Sequence, residues 1–163
     1  MSLPDDCLIG LVSDTHGLFR TEIREALAGV SLILHAGDVG GERVLRPLRE
    51  IAPVRAVFGN TDDPADPGLR KSIELTLGGR SIHVSHGHEL GSPTPERMRR
   101  AYPADILVFG HTHRAIVEEA DGRLIVNPGA AGPRRFNLMP SVARLSIVNA
   151  TAAAEIVWLR SRP

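Results

Sequence analysis

Five short apolar runs in this chain each end on or just before an Asp, a His or an Asn. Cys7 to Ser13 ends at Asp14, and Leu32 to His35 ends, through Ala-Gly, at Asp38. Val54 to Phe58 ends, through Gly59, at Asn60. Ser81 to Ser85 ends at His86, and Ile106 to Phe109 ends, through Gly110, at His111. Runs this short and rich in β-branched residues predict strands buried on at least one face. Between the first three lie amphipathic segments. Thr21 to Ala28 places Ile23, Ala26 and Leu27 on one face, and Glu42 to Arg49 does so with Val44, Leu45 and Leu48. Both predict helices, with Pro47 read as falling early in the second, where a helix tolerates it best. Alternation of strand and helix predicts parallel pairing with crossovers.

The middle and end of the chain change character. Gly78-Gly79 lies between Ser72–Leu77 and Arg80–Ser85 and predicts a two-residue hairpin. Asp121-Gly122 predicts a second, between Ala115–Ala120 and Leu124–Asn127. Val142 to Val148 and Ala154 to Leu159 add late strands. Many strands and few helices predict two packed sheets with helices outside, within one domain spanning residues 1–163. Met1-Ser2-Leu3 reads as a start added for expression and stands outside the fold reasoning.

Strand ends in parallel sheets converge on one edge, and ligand sites form there. The residues so placed are Asp14, His16, Asp38, Asn60, His86, His111 and His113. One strand-end Asp or His is more often a cap or a turn residue. Seven together offer oxygen and imidazole without thiolate, a donor set for Mn, Fe, Zn, Co or Ni. Seven exceed what one centre takes from protein and suit two centres that share a carboxylate. Asp14 and His16 are separated by one residue, as are His111 and His113, and extended backbone would turn each pair to one side. Glycines beside them (Gly37, Gly59, Gly87, Gly110) allow sharp turns or close approach.

Composition excludes other chemistries. Cys7 is the only cysteine, so a thiolate metal cluster and an intrachain disulfide are both ruled out. It reads as a small buried hydrophobe. Lys plus Arg total 19 against 19 Asp plus Glu, which argues against long nucleic acid as a partner. No apolar run approaches membrane-spanning length and no signal segment precedes the first strand, so a cytoplasmic protein without membrane contact is expected. A homo-oligomer is compatible with all of this. No Gly-rich phosphate loop and no nucleophile elbow is present.

Asp14-Thr15-His16, Gly37-Asp38, Gly59-Asn60-Thr61-Asp62, His86-Gly87-His88 and Gly110-His111-Thr112-His113 together resemble, in order, the motifs of the calcineurin-like metallophosphoesterase superfamily. The chain is similar to its small bacterial and archaeal phosphodiesterase branch from residue 8 to about residue 158, Asn127-Pro128-Gly129 included. The resemblance implies an α/β (α+β) fold, a four-layer αββα sandwich of two mixed sheets flanked by helices. It implies two divalent metal ions per chain, manganese foremost, with iron, zinc, nickel or cobalt as alternatives. Asp14, His16 and His113 would hold the first, Asn60, His86 and His111 the second, and Asp38 would bridge them. Asp38, Asn60 and His88 are the implied catalytic residues, with His88 either facing the substrate phosphate or supporting a ligand.

The reaction expected is hydrolysis of a small phosphoester, nucleotide-derived esters included, by in-line attack of a hydroxide held between the metals. The alternatives are a phosphomonoesterase and a non-catalytic protein-binding scaffold of the same fold, as in the retromer complex. Many superfamily members carry a His after Gly-Asn that protonates the leaving group, and here Thr61 occupies that position. Where members often carry Ser after Asn-Pro-Gly, this chain has Ala130. Asp62 reads either as a ligand-orienting group or as a turn terminus. The Arg99-Arg100 and Arg134-Arg135 pairs read as solvated faces, with a substrate contact the alternative for Arg134, just past the Asn-Pro-Gly turn. His35 and His83, inside strand runs, read as structural.

Overall fold

The computed structural model describes residues 6–160, so the reading of Met1 to Leu3 as an added start lies outside the described residues. The chain alternates first. Strand β1 (Cys7–Val12) is followed by α1 (Glu22–Ala26), β2 (Leu32–His35), α2 (Glu42–Arg49) and β3 (Val54–Ala56). A hairpin of β4 (Ile73–Leu77) and β5 (Arg80–Val84) comes next, then α3 (Pro95–Ala101) and β6 (Ile106–Val108). Two further hairpins close the chain: β7 (Ile116–Ala120) with β8 (Arg123–Asn127), and β9 (Ser141–Val148) with β10 (Thr151–Trp158).

Two five-stranded sheets result, ordered β10-β9-β1-β2-β3 and β4-β5-β6-β8-β7. Each has three parallel strands, β1-β2-β3 in one and β5-β6-β8 in the other, finished by antiparallel partners. Period-two alternation along the strands divides their side chains between two faces. Ile9, Leu11 and Leu34 of the first sheet and Ile82, Val84, Ile106 and Val108 of the second belong to one buried cluster. The other face of the first sheet, with Val12 and Ile33, packs on Ile23 and Leu27 near α1 and on Val44 and Leu48 of α2. Leu107 and Ile125, on the other face of the second, pack with Met98 of α3 and Phe109. The layers are therefore helix, sheet, sheet, helix, the expected sandwich.

The two expected glycine-containing turns form as read. Gly78 and Gly79 have φ of 57° and 77°, and Asp121 and Gly122 have 53° and 74°. Left-handed conformation at both central residues matches the twist of the flanking strands. Two expectations are corrected. Pro47 is the sixth of the eight residues of α2, beyond the first turn. Helix α3, not anticipated, opens on Thr94, whose side chain accepts a hydrogen bond from the Arg97 N–H, with Pro95 in the first helical position.

Candidate metal centre

All seven strand-end residues meet at the edge where the parallel strands of both sheets finish. Asp14 and His16 follow β1, Asp38 follows β2, Asn60 follows β3, His86 follows β5, and His111 and His113 follow β6. The expectation that each paired set lies on extended backbone is corrected. Asp14, His16, Asp38, His111 and His113 all have left-handed φ, between 44° and 71°. Such backbone costs about 1–2 kcal/mol per non-glycine residue and persists where surrounding contacts enforce it. Those contacts are present. The N–H of Asp14 donates to Gly37 O at 2.9 Å, and that of His16 to Asp38 O at 2.9 Å. The sharp reversals turn these side chains inward, a result that strand alternation alone would not produce.

Asp14 is fully buried. Its Oδ2 accepts from Ser13 Oγ at 2.6 Å and from the His111 N–H at 3.1 Å. Its Oδ1 has no hydrogen-bond partner and lies 3.3 Å from His113 Nε2 and 3.7 Å from His16 Nε2. Asp38 Oδ1 accepts from the Thr61 N–H at 2.9 Å. Its Oδ2 stands 3.3 Å from His86 Nε2 and 3.7 Å from His16 Nε2, between the two halves of the cluster. Asn60 Oδ1 lies 3.0 Å from His86 Nε2 and 3.1 Å from His111 Nδ1. The His86 ring is oriented by its Nδ1, 2.8 Å from Ala36 O, which leaves Nε2 facing the site.

The donor atoms of Asp14, His16 and His113 lie within 4.8 Å of one another, as do those of Asp14, Asp38 and His86. Two imidazole nitrogens, His16 Nε2 and His113 Nε2, are only 3.4 Å apart. An unpartnered buried carboxylate oxygen among converging imidazole nitrogens is the surrounding that a divalent cation completes. The residues therefore fit metal. Electrostatics agree. Burial alone would raise the Asp14 carboxyl, but the close imidazoles of His113 and His16 and the charge of His86 outweigh it and hold the pKa well below the usual range. Burial opposes ionisation of Asp38 too, yet His86 and Thr61 hold it at about 2. Both are carboxylates at neutral pH. Burial also lowers His111, which favours its neutral, ligating form.

Glycines are required at two contacts. A Cβ on Gly59 would sit 2.1 Å from Asp38 Oδ1, and one on Gly110 2.0 Å from Ser13 Oγ. The Asp62 carboxylate accepts from the N–H groups of Val39, Gly40 and Gly59, which ties the loop after β2 to the loop after β3. It orients the segments that carry Asp38 and Asn60. Asn127 does the same for the loop after β6, donating to Gly110 O at 3.0 Å and Thr112 Oγ1 at 3.1 Å. His35 and His83 bond away from the cluster. His35 meets Thr15 Oγ1 and the Gly37 N–H, while His83 contacts Glu74 and Ser85 and stacks on Tyr102. His88 opens a 3-10 turn, His88–Leu90, with its ring 5.3 Å from His86 and 6.4 Å from His111. It joins no hydrogen bond in the cluster, and its Nδ1 is buried without a partner.

Sequence reasoning missed Glu89, whose carboxylate accepts from Ser85 Oγ, the Gly87 N–H and Tyr102 OH. Its only signal is a position just after His86-Gly87-His88. Also missed was Phe136, 6.4 Å from His113 between ring centres, which no strand or turn pattern marks.

The αββα sandwich thus carries, at its parallel edge, an oxygen-and-imidazole cluster suited to divalent cations. Residues 7–150 match the calcineurin-like phosphoesterase superfamily domain, and the chain belongs to that superfamily. It is 34% identical over 158 residues to a probable metallophosphoesterase of Methanothermobacter thermautotrophicus, covering 92% of this chain and 91% of the relative. It is 26% identical over 139 residues to the phosphodiesterase MJ0936 of Methanocaldococcus jannaschii, covering 74% and 82%. Among solved structures, the Vacuolar Protein Sorting 29 protein of Cryptosporidium parvum shares the fold, with a TM-score of 0.76 and 24% identity over 93% of this chain and 97% of that one.

Proposed function

We propose that this chain is a dinuclear metal-dependent phosphodiesterase acting on a small phosphoester, a single domain over residues 1–163, in the cytoplasm. The observation that carries the reading is the pair of carboxylate oxygens at the centre. Asp14 Oδ1 has no partner but faces three imidazoles, and Asp38 Oδ2 stands between His16 and His86. Asp14, His16 and His113 would hold one cation and Asn60, His86 and His111 the other, with Asp38 shared. Manganese is the first choice, with iron, zinc, nickel and cobalt as alternatives. When bound, the two cations supply Lewis acidity and an ionised water nucleophile near neutral pH.

The protein's own part is positional. Ionised Asp14 and Asp38 bring negative charge without needing to lose a proton at neutral pH. The Ala36 carbonyl fixes the ring of His86, and Asp62 holds the two loops that present Asp38 and Asn60. Asn60 and His111, both in contact with solvent, border the side from which an ester can enter. The Thr61 hydroxyl is too weak an acid to protonate a leaving group near neutral pH as an imidazolium can. His88, whose partly exposed ring lies beside those of His86 and His111, either faces the substrate phosphate or supports a ligand, and no side chain is assigned as proton donor to the leaving group.

The test is hydrolysis of a panel of aryl and alkyl phosphomonoesters and phosphodiesters by metal-stripped protein, with each metal restored in turn. No turnover without metal, restoration by manganese, faster diesters than monoesters and rates that fall steeply with leaving-group pKa are expected. Faster monoesters would make the enzyme a phosphomonoesterase. Inactivity with every metal would favour the scaffold.

A further inference from the structure

The loop after Pro133 carries a side chain that folding does not explain. Phe136 is 79% exposed, the most exposed large apolar residue of the described chain. It and Asn137 are successive non-glycine residues with left-handed φ, 55° and 57°. An apolar ring held in water on unfavourable backbone incurs two costs. Residues of this kind cluster where a ligand is clamped. The ring lies 6.4 Å from that of His113 at an interplanar angle of 66°, edge to face, beside the metal cluster.

The same loop also lines a cationic recess, which Phe136 does not border. Arg134, two residues earlier, and Arg20 line a recess of about 390 Å³ with Met139 and Pro140. Arg20 Nε donates to Gly132 O and Arg134 Nη2 lies 3.5 Å from Asn137 O, both main-chain carbonyls. Among the described residues neither guanidinium is paired with a carboxylate, so both keep N–H groups for an anion.

We infer that Phe136 is a stacking platform for the base of a nucleotide-derived substrate whose phosphate lies at the metal cluster. A base stacked on an aromatic ring gains affinity without base-specific hydrogen bonds, so the platform accepts several bases. The neutral overall charge of the chain fits a mono- or dinucleotide rather than a long strand. This rests on the metallophosphoesterase reading of the same site only for the position of the phosphate.

The test is calorimetric binding of adenosine monophosphate and ribose phosphate to manganese-loaded protein, for the parent, Phe136→Ala and Phe136→Trp. The parent is expected to bind the nucleotide about tenfold more tightly than the sugar phosphate, the order of one stacked base. Phe136→Ala loses that preference and Phe136→Trp keeps it. Because the ring is exposed, a thermal melt of Phe136→Ala should match the parent and separate lost stacking from lost folding. Equal affinities in the parent, or a preference that survives in Phe136→Ala, would overturn the inference. Hydrolysis of p-nitrophenyl methyl phosphate by the same samples separates the two readings. Metal-dependent turnover without base preference removes the platform alone. Base preference without turnover supports the platform and removes the phosphodiesterase reading.

Discussion

Asp38 has one carboxylate oxygen fixed by the Thr61 N–H and the other poised between His16 and His86. Asparagine would keep the shape and remove the charge, leaving a poor bridge between cations. His88 lies beside the cluster, its ring tilted to those of His86 and His111 and in no hydrogen bond with them. Asp38→Asn is therefore expected to lower kcat by more than His88→Ala, whose cost should be about ten- to a hundredfold. Steady-state rates that come out equal or reversed would show the roles to be wrongly assigned. His35 offers a test apart from the chemistry. Its Nδ1 accepts from the Gly37 N–H, so the proton sits on Nε2 and is donated to Thr15 Oγ1. Burial holds its pKa down at about 4, against an ordinary value near 6.5. The unfolded chain thus takes up this proton first. The stability from neutral His35 is complete above pH 6.5 and is lost as pH falls from there toward 4. Its share of the loss should be about 2 kcal/mol between pH 7 and pH 5. Urea melts of metal-free parent and His35→Asn check this, and an equal pH slope in both would contradict it. At this scale the sequence was informative where residue type and strand-end position coincide, as for Asp14 and His86. It was silent on Phe136, because nothing local tells an exposed loop aromatic from a buried one.

Among the elements, α2 carries a visible defect. Pro47, its sixth residue, lacks the N–H that would reach the carbonyl of Arg43. Interior proline costs a helix about 3 kcal/mol relative to alanine, partly offset by the stiffer unfolded chain. Pro47→Ala should accordingly stabilise the protein by about 1–2 kcal/mol, read as a higher denaturation midpoint in urea. An unchanged or lower midpoint would mean that the proline ring packs well enough to repay the lost bond. Strands β1, β2 and β6 were legible because runs buried on both faces are nearly continuous and apolar. Both glycine-containing hairpins were legible because positive φ is written into Gly78-Gly79 and Asp121-Gly122. The third hairpin was legible as two late strands, but its turn was not, since Asn149 and Ala150 adopt φ of 51° and 61° with no glycine to announce them. Helix α3 had its signals in Thr94-Pro95, but the seven-residue segment buries only Met98 and its periodicity is weak. The inward turn of Asp14 and His16 depends on hydrogen bonds to the loop after β2, which are long-range and invisible along the chain.

At the scale of the whole molecule, sheet packing assembles both halves of the site, because each proposed ligand set draws on both sheets. Residues after β1, β2 and β3 come from one sheet and those after β5 and β6 from the other, and the buried layer between the sheets sets their separation. Neither sheet alone supplies both halves. The central claim is that the joined edge binds two cations and that hydrolysis needs both. Titration of metal-stripped protein with manganese, followed by bound metal and by hydrolysis of an aryl phosphodiester in the same samples, tests it most directly. The account predicts two ions per chain at saturation, with activity rising fully only as the second is bound. Saturation at one ion, or hydrolysis undiminished after complete stripping, would contradict it.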